Sequence, residues 1–203
     1  MAISIFPHPK TARLTVIAGY ESGHTIVSQL TSSQTWQVLY TAKAHSQPIL
    51  SLDVSSAKDF YLTSSADAII AKHPVPAPVE NTIMAVESVP LSTIQTKHSG
   101  QQGLRMRSDG RIFATAGWDS RARVYDAAGM RELAVLKWHK EGCYAVAFAD
   151  IETRGVGEER DVGTLVESAG KMTVREERLW KAKMAHWLAV GSKDGKVSLW
   201  DIY

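Results

Sequence analysis

A stretch near the middle of the chain alternates between apolar and polar positions in short runs that turns separate. The runs 104–107 and 112–116 flank Ser-Asp-Gly at 108–110, and a third alternating run, RARVY, follows Asp119. Alternation with a period of two predicts half-buried strands, and an Asp-Gly step between two of them favours a hairpin. With the run ELAVLKW at 132–138, the stretch predicts four consecutive antiparallel strands.

The same order of elements recurs along the chain. Each unit has a first strand, a second strand, a polar turn and a third strand, and the turns are centred on Ser22, Asp67, Asp119 and Asp194. Short strands in repeated groups indicate an all-β fold in which each group forms one blade of a β-propeller. The predicted blades are 1–42, 43–95, 96–137 and 138–203, and the last one carries a charged insertion at 152–183.

Composition narrows the function classes. The chain has 203 residues with a formal net charge of +2, so it predicts no strongly basic surface for nucleic acid. The single cysteine, Cys143, excludes an internal disulfide and fits a reducing compartment. No apolar run reaches the roughly 18 residues of a membrane helix, and two early prolines interrupt the start of the chain. A soluble intracellular protein is therefore expected.

Polar side chains recur at matching positions around the turns. A histidine precedes the first strand, the turn holds an Asp, and an aromatic residue or a histidine lies on the third strand. This pattern resembles the WD-repeat family, in which such side chains form a hydrogen-bonded tie within each blade; a buried Asp needs such partners. In the fourth unit Val190 stands where the family has a hydroxyl, and in the second His73 stands where it has Trp. The resemblance implies a structural tie made by His45, Thr63, Asp67, His98, Thr115, Asp119, Tyr125, His139, Asp194 and Trp200.

Longer runs of the chain carry a narrower resemblance. The segments TKHSGQQGLRMRSDGRIFATAGWDSRARVY and HWLAVGSKDGKVSLWDIY resemble the ASTRA-associated proteins, fungal WD-repeat proteins that are similar to G-protein β-subunit-like proteins of animals. The resemblance implies a non-enzymatic scaffold of the ASTRA complex, which is linked to chromatin remodelling and to the maturation of PI3-kinase-like kinases. It implies a nuclear location and protein partners, with ASTRA subunits foremost. It implies no cofactor, membrane, direct nucleic-acid contact or small-molecule substrate.

Two other functions remain open at this point. One is a G-protein β-like module that binds a GTPase or a peptide, which would need a long N-terminal coiled coil. The other is a propeller enzyme with catalytic groups in the central channel, although the predicted inner strands PILSLDVS and YAVAFA offer few groups for chemistry.

The number of units predicts an incomplete ring. Propellers of this class usually have about seven blades, and the last unit here ends after a third strand. We therefore expect the last four blades of a seven-bladed ring, with two open sheet edges. A compact four-bladed ring is the alternative.

Other motifs are better explained as structure. In GSKDGKVS, at 191–198, three residues lie between the two glycines, whereas a phosphate-binding loop has four. The recurring histidines belong to different blades, which separates them too far for a zinc site. Cys143 lies in the apolar run CYAVAFA and is expected to be buried and inert. The insertion at 152–183 is expected to be disordered in its glycine-containing first part, with a short helix from Thr173.

The residue before each turn Asp is predicted to lie at one rim of the propeller. It is Trp118 in the third unit and Lys193 in the fourth. An exposed tryptophan has no evident structural role, and tryptophan is enriched among interface hot spots. The alternative is that Trp118 folds over its own blade or a neighbouring one. The candidate partner-binding rim consists of Trp118, Lys193, Gln47, Gln101, Lys140 and Glu141.

Overall fold

The computed structural model describes residues 2–77, 88–98, 100–150, 173–175, 178 and 185–202. Its strands form four antiparallel sheets, in each of which the spatial order of the strands follows the chain. The first sheet contains β1 (Ala2–Pro7), β2 (Leu14–Gly19), β3 (His24–Leu30) and β4 (Trp36–Lys43). The second contains β5 (Ile49–Val54), β6 (Phe60–Ser65), β7 (Ile69–Pro74) and β8 (Ser92–Gln95).

The third and fourth sheets repeat this arrangement. The third contains β9 (Gln101–Met106), β10 (Ile112–Gly117), β11 (Arg121–Asp126) and β12 (Glu132–Lys137). The fourth has three described strands, β13 (Cys143–Phe148), β14 (Trp187–Ser192) and β15 (Val197–Asp201). The prediction of an all-β fold built from propeller blades is confirmed.

Burial along the strands follows their position in the stack of sheets. β3 alternates between buried and half-buried residues, as expected for a strand with one face against a core. β10 is buried at every position, because it lies inside its sheet and that sheet has a neighbour on both faces. The hairpin between β9 and β10 turns at Gly110, whose φ of 70° is costly for residues with a side chain.

The hydrophobic core is divided into three layers, each between two successive sheets. Ile17 and Val27 of the first sheet pack with Tyr61 of the second. The next layer joins residues of the second and third sheets, including Leu62 and Phe113. The last layer joins the third and fourth sheets and contains Ala114, Val124, Cys143, Leu188 and Val190. Each blade is therefore stabilised mainly by the blades beside it.

The inner strands are also joined by polar contacts. β1, β5, β9 and β13 follow one another at the inner edge of the four sheets. The Ser51 hydroxyl accepts a hydrogen bond from the Leu104 amide at 3.2 Å, and Asp53 Oδ2 accepts one from the Met106 amide at 2.7 Å. Burial raises the pKa of Asp53, and the amides that it accepts from work in the opposite direction. These contacts fix the second blade against the third.

The four sheets form an arc rather than a closed ring, and large apolar side chains are exposed at both of its ends. In the first sheet these include Ile3 and Ile5 on β1. In the fourth they include Tyr144 on β13, together with Val197 and Leu199 on β15. Exposed apolar faces of this kind are consistent with part of a larger propeller.

Most of the charged insertion lies outside the described residues. Of residues 152–183, the structure describes 173–175 and 178, and Val174, Arg175 and Arg178 are helical. The expected disorder of the first part concerns residues that the structure does not describe. Among the described residues, no helix has the length and apolar character that crossing a membrane requires.

Candidate functional site

The second sheet contains a continuous polar chain that begins at the turn between β6 and β7. His45 Nδ1 lies 3.1 Å from Asp67 Oδ1, and His45 Nε2 lies 2.8 Å from the Thr63 hydroxyl. The same hydroxyl lies 3.0 Å from His73 Nε2. Asp67 also accepts hydrogen bonds from the amides of Ser46 and Ile69. The structure thus brings together His45, Thr63 and Asp67 of the predicted tie, with His73 as the fourth member.

The proton positions along this row of hydrogen-bonded side chains follow from the Asp67 carboxylate at its end. A carboxylate only accepts, so His45 Nδ1 carries a proton, and a neutral ring then accepts at Nε2 from Thr63. The Thr63 oxygen then accepts from His73 Nε2, which leaves His73 Nδ1 as an acceptor. Nδ1 lies 3.0 Å from the Tyr40 hydroxyl, whose one proton it shares with the Val89 carbonyl at 3.2 Å. Burial lowers the pKa of His73 to about 3, which keeps this ring neutral. Burial works to raise the pKa of Asp67, but the hydrogen bonds from His45 and the amides outweigh it, and the pKa is lowered.

In the third sheet, Asp119 pairs with Arg123 and not with His98, the expected partner. The Arg123 guanidinium, which is 1% exposed, donates to both Asp119 oxygens, from Nη1 at 3.1 Å and from Nη2 at 2.5 Å. His98 Nδ1 lies 3.7 Å from Asp119, beyond hydrogen-bonding distance, and its ring is 37% exposed. Among the described residues no hydrogen bond joins His98 to Thr115. The buried arginine binds the turn carboxylate as His45 does in the second sheet, and Thr115 and Tyr125 are buried as well.

Charge balance around Arg123 explains how a buried cation is tolerated. Besides Asp119, Glu132 Oε2 lies 3.5 Å from Arg123 Nε. Burial alone would lower the pKa of Arg123, but the hydrogen bonds to Asp119 outweigh that effect and the pKa is raised. Burial likewise works to raise the pKa of Asp119, and Arg123 reverses the direction. Two carboxylates thus neutralise the guanidinium, as a buried charge requires.

The fourth sheet is tied by a different hydroxyl. His139 Nε2 lies 2.9 Å from the Ser198 hydroxyl, which also accepts a hydrogen bond from Trp200 Nε1 at 2.8 Å. Asp194 does not reach His139; it accepts from the Lys196 amide at 3.1 Å and lies 3.5 Å from Lys196 Nζ. His139 Nδ1 is buried without a hydrogen-bond partner among the described residues. The structure brings together His139 and Trp200 but leaves Asp194 out of the tie.

The three ties differ in which of two facing residues, one on the second strand and one on the third strand of the blade, supplies the polar group. Thr63 faces Ala71 across β6 and β7, Thr115 faces Arg123 across β10 and β11, and Val190 faces Ser198 across β14 and β15. Cross-strand partners project to the same side of a sheet, so either strand can supply the group that binds the histidine or the Asp.

The pattern of the sequence contains a signal for both missed residues. Arg123 lies two residues before Tyr125, and Ser198 lies two residues before Trp200, so each is on the same face of its strand as the aromatic residue of the tie. An arginine on a buried face needs a carboxylate, and Asp119 is close in sequence. The alternation of side chains between the two faces of a strand would therefore have identified Arg123 and Ser198.

The predicted rim contains an exposed and well-fixed tryptophan. Trp118 is 45% exposed, and its indole N–H donates to Gln102 Oε1 at 3.0 Å. The ring covers Gly100 so closely that a Cβ built there would lie 2.1 Å from it. The indole thus folds over its own blade, as in the alternative interpretation, and still presents an open face. A side chain held in this way loses little rotamer entropy on binding.

The other rim residues divide into exposed and buried ones. Gln47, Lys140, Glu141 and Lys193 are exposed, and the Lys193 amide donates to the Gly142 carbonyl at 2.9 Å. Gln101 is fully buried, and its side-chain NH₂ donates to the His98 carbonyl at 2.8 Å. The assignment of Gln101 to the binding rim is therefore wrong, because its side chain is used to close the loop that precedes β9.

The polar clusters of the described residues hold the strands of each blade together. No group of three His, Cys, Asp or Glu side chains among them could hold a metal ion. Burial raises the pKa of Cys143 to about 11, so this thiol is a poor nucleophile. Two of the tie histidines bind groups of their own blades: His45 contacts Asp67 and Thr63, and His139 contacts Ser198 through Nε2.

Comparisons with known proteins agree with this architecture. The sequence profile of the family described as WD domain, G-beta repeat matches residues 36–71, 89–126 and 183–201. Among solved structures, the β-propeller domain of Cps50 (Swd1) from Myceliophteria thermophila superposes with a TM-score of 0.67 at 13% identity. It covers all of this chain, which in turn covers 53% of that chain. At this identity the likeness establishes the fold alone.

Curated relatives give a closer match. ASTRA-associated protein 1 of Verticillium alfalfae is 53% identical over the whole of this chain, and that of Aspergillus flavus is 50% identical. ASTRA-associated protein 1 of Schizosaccharomyces pombe is 34% identical over 92% of the chain and is itself covered to 43%. The chain spans about half the length of the curated relatives that it matches, 50% for each of the first two. The repeats, the blades and these relatives together identify the chain as a WD-repeat protein that resembles the fungal ASTRA-associated proteins.

Proposed function

We propose that this chain is part of a non-enzymatic scaffold that binds protein subunits of the ASTRA complex. Through that complex it would contribute to chromatin remodelling and to the maturation of PI3-kinase-like kinases. The observation that carries the proposal is the match to relatives named ASTRA-associated protein 1, at 50–53% identity over the full chain in the first two. A nuclear location is part of the same proposal.

The described residues support a binding role in two ways. The polar groups of the blades are turned inward and bind one another, which gives rigid sheets and leaves the connecting loops to carry recognition. The rim offers a fixed aromatic side chain, Trp118, together with exposed charged residues such as Lys140 and Lys193. Rigid aromatic groups surrounded by polar ones are typical of protein interfaces.

The test is affinity capture of the tagged full-length protein from cells that express it at its normal level. We expect subunits of the ASTRA complex to be recovered in amounts close to that of the bait, and a fluorescent fusion to accumulate in the nucleus. A misfolding control, Asp67→Ala, should lose the same partners because it breaks a blade. Recovery of a GTPase without ASTRA subunits would favour the G-protein β-like alternative and contradict the proposal.

A further inference from the structure

We infer that a basic pocket on the rim between the third and fourth blades binds an acidic segment of a protein partner; this inference rests on the proposed scaffold function. The pocket has a volume of about 270 Å³ and is open to solvent. It lies where β11 begins and β12 ends, next to the connection from β12 to β13. The residues that line it are Ser120, Arg121, Lys137, Trp138 and His139.

Two cations face each other in this pocket. Arg121 and Lys137 are cross-strand partners on β11 and β12. Like charges directly opposite each other destabilise a sheet, so this pair is unfavourable unless something neutralises it. Among the described residues, neither side chain has an ion pair or a hydrogen bond to a carboxylate. Arg123, on the same strand, differs because Asp119 and Glu132 neutralise it within the blade.

An aromatic wall adjoins the two cations. Trp138 is 55% exposed, and its ring packs edge-on against His139 with centroids 4.9 Å apart. His139 is itself held by the Ser198 hydroxyl of the fourth blade. The wall therefore has a fixed position, and its exposed face suits the aliphatic part of a bound segment.

The residues around the pocket are also cationic and aromatic. Lys140 follows the pocket in sequence and is exposed, and the Lys193 main chain is joined to the same connection through Gly142. A Cβ built on Gly142 would lie 3.2 Å from the Trp118 carbonyl oxygen, so the Trp118 turn lies against this connection as well. The rim thus combines four cationic residues with two exposed tryptophans. Its acids are Glu141, together with Asp119 and Asp194, which pair with Arg123 and Lys196.

The chemistry of the pocket favours carboxylates over a phosphate group. The two cations come from separate strands and suit two carboxylates of one extended segment, with Arg121 able to bind one of them through two parallel hydrogen bonds. Phosphate sites usually add several backbone amides or hydroxyls. The one hydroxyl among the lining residues, that of Ser120, already donates to the Asp119 carbonyl at 2.6 Å. We therefore assign the pocket to Asp or Glu side chains of a partner.

The experiment selects short random peptides on the immobilised full-length protein and sequences those that bind. The same selection is run on R121Q/K137Q and on the matched variant R111Q/K10Q, which removes the same two charges at exposed positions elsewhere. We expect acidic peptides to be enriched on the wild type and on the control variant, and to be lost on R121Q/K137Q. Lys137, Arg111 and Lys10 are exposed and Arg121 is half-buried, so thermal melting verifies that each variant is folded.

The strongest selected peptide then serves as a probe in three synthetic forms. The acidic form should bind at least about tenfold more tightly than its amide form, in which Asn and Gln replace Asp and Glu, and more weakly as salt increases. A form with phosphoserine at the acidic positions tests the other anion, and a labelled single-stranded oligonucleotide tests nucleic acid.

Several results would overturn the inference. One is a selection that yields no acidic peptides, and another is equal enrichment of acidic peptides on R121Q/K137Q. A third is that the phosphorylated peptide or the oligonucleotide binds more tightly than the acidic peptide and that R121Q/K137Q abolishes this binding. The test is separate from that of the proposed function. If the wild type binds no acidic peptide but still captures ASTRA subunits, the pocket alone is contradicted. If it binds acidic peptides but captures no ASTRA subunits, the proposed assembly is contradicted.

Discussion

Val190 and Ser198 are cross-strand partners on β14 and β15, and Ser198 supplies the hydroxyl that Thr63 supplies in the second blade. The group that binds the blade histidine has moved from the second strand to the third without changing its side of the sheet. The tie therefore depends on where the hydroxyl lies in space, and not on which strand carries it.

This relationship predicts a rescue. Ser198→Ala leaves both His139 Nε2 and the Trp200 N–H without a partner, which should lower the free energy of unfolding by about 1–3 kcal/mol. Adding Val190→Thr restores a hydroxyl at the facing position and should recover a measurable part of that loss. Urea unfolding of the two variants provides the comparison. A double variant as unstable as the sum of its single changes would show that the two positions are not equivalent.

The buried arginine of the third blade should be the most sensitive charged residue of the described chain. Arg123→Ala removes the two hydrogen bonds to Asp119 and leaves the carboxylate partly buried, and we expect a loss of about 2 kcal/mol. Arg121→Ala, on the same strand but without a carboxylate partner, should change stability by less than about 0.5 kcal/mol. Equal effects of the two changes on the urea midpoint would contradict the assigned pairing.

The two histidines that precede the first strands of the second and third blades should respond differently to substitution. His45 is buried between Asp67 and Thr63, so His45→Ala should cost about 2 kcal/mol by leaving polar groups unpaired. His98 makes no side-chain hydrogen bond among the described residues, and His98→Ala should cost less than about 0.5 kcal/mol. A large effect at His98 would mean that it does serve as the tie of its blade.

The neutral ring of His73 predicts a pH dependence of stability. Its pKa is about 3 in the folded chain and has the ordinary value of 6.5 when unfolded. Between these values the unfolded state binds a proton that the folded state does not, so stability is full above pH 6.5 and falls as the pH falls toward 3. The slope reaches about 1.4 kcal/mol per pH unit, and His73→Gln should remove it.

A control for this titration comes from Asp67. Its lowered pKa gives stability that is present above the ordinary Asp value of 3.8 and is lost at lower pH, as the pH falls through the folded pKa. Asp67→Asn should therefore keep the slope between about pH 6 and pH 4 that is attributed to His73. The measurement is urea unfolding at a series of pH values. A slope unchanged by His73→Gln would show that another group is responsible.

Two glycines with nearly the same backbone allow strain to be separated from packing. Gly100 has a φ of 73° and Gly195 a φ of 75°. Gly195→Ala meets nothing within 4 Å and should cost about 1 kcal/mol through backbone strain alone. Gly100→Ala places its Cβ in the Trp118 ring, so we expect a larger loss and displacement of the indole. Unfolding free energies and solvent quenching of tryptophan fluorescence report the two effects, and equal losses would contradict the packing of Trp118 on Gly100.

The sequence was sufficient to predict the repeated strands and the turns that hold Asp67, Asp119 and Asp194, because strand alternation and turn residues are local properties. It did not determine which of two facing strands supplies the tie, since Thr63 and Ser198 satisfy the same geometry from opposite strands. The partner of Asp119 was missed because a family pattern with histidine was applied where Arg123 is closer.

The rim shows a different limit of sequence reasoning. Gln101 begins β9 and Trp118 directly follows β10 in the same blade, yet Trp118 is exposed and Gln101 is buried. Their exposure depends on the left-handed turn at Gly100, which brings the indole over the loop and directs Gln101 inward. No periodicity in the sequence encodes a loop conformation of this kind.

The different ties have a consequence for folding fidelity. Sheets of nearly the same register in one chain are competitors for one another's strands, which is the hazard that leads to strand exchange in repeat proteins. If β11 were to pair with β14 in place of β15, Arg123 would face Val190 and His139 would lose the Ser198 hydroxyl. A wrong pairing of this kind leaves a buried polar group without its partner. The differences between the ties therefore favour the pairing of each strand within its own blade.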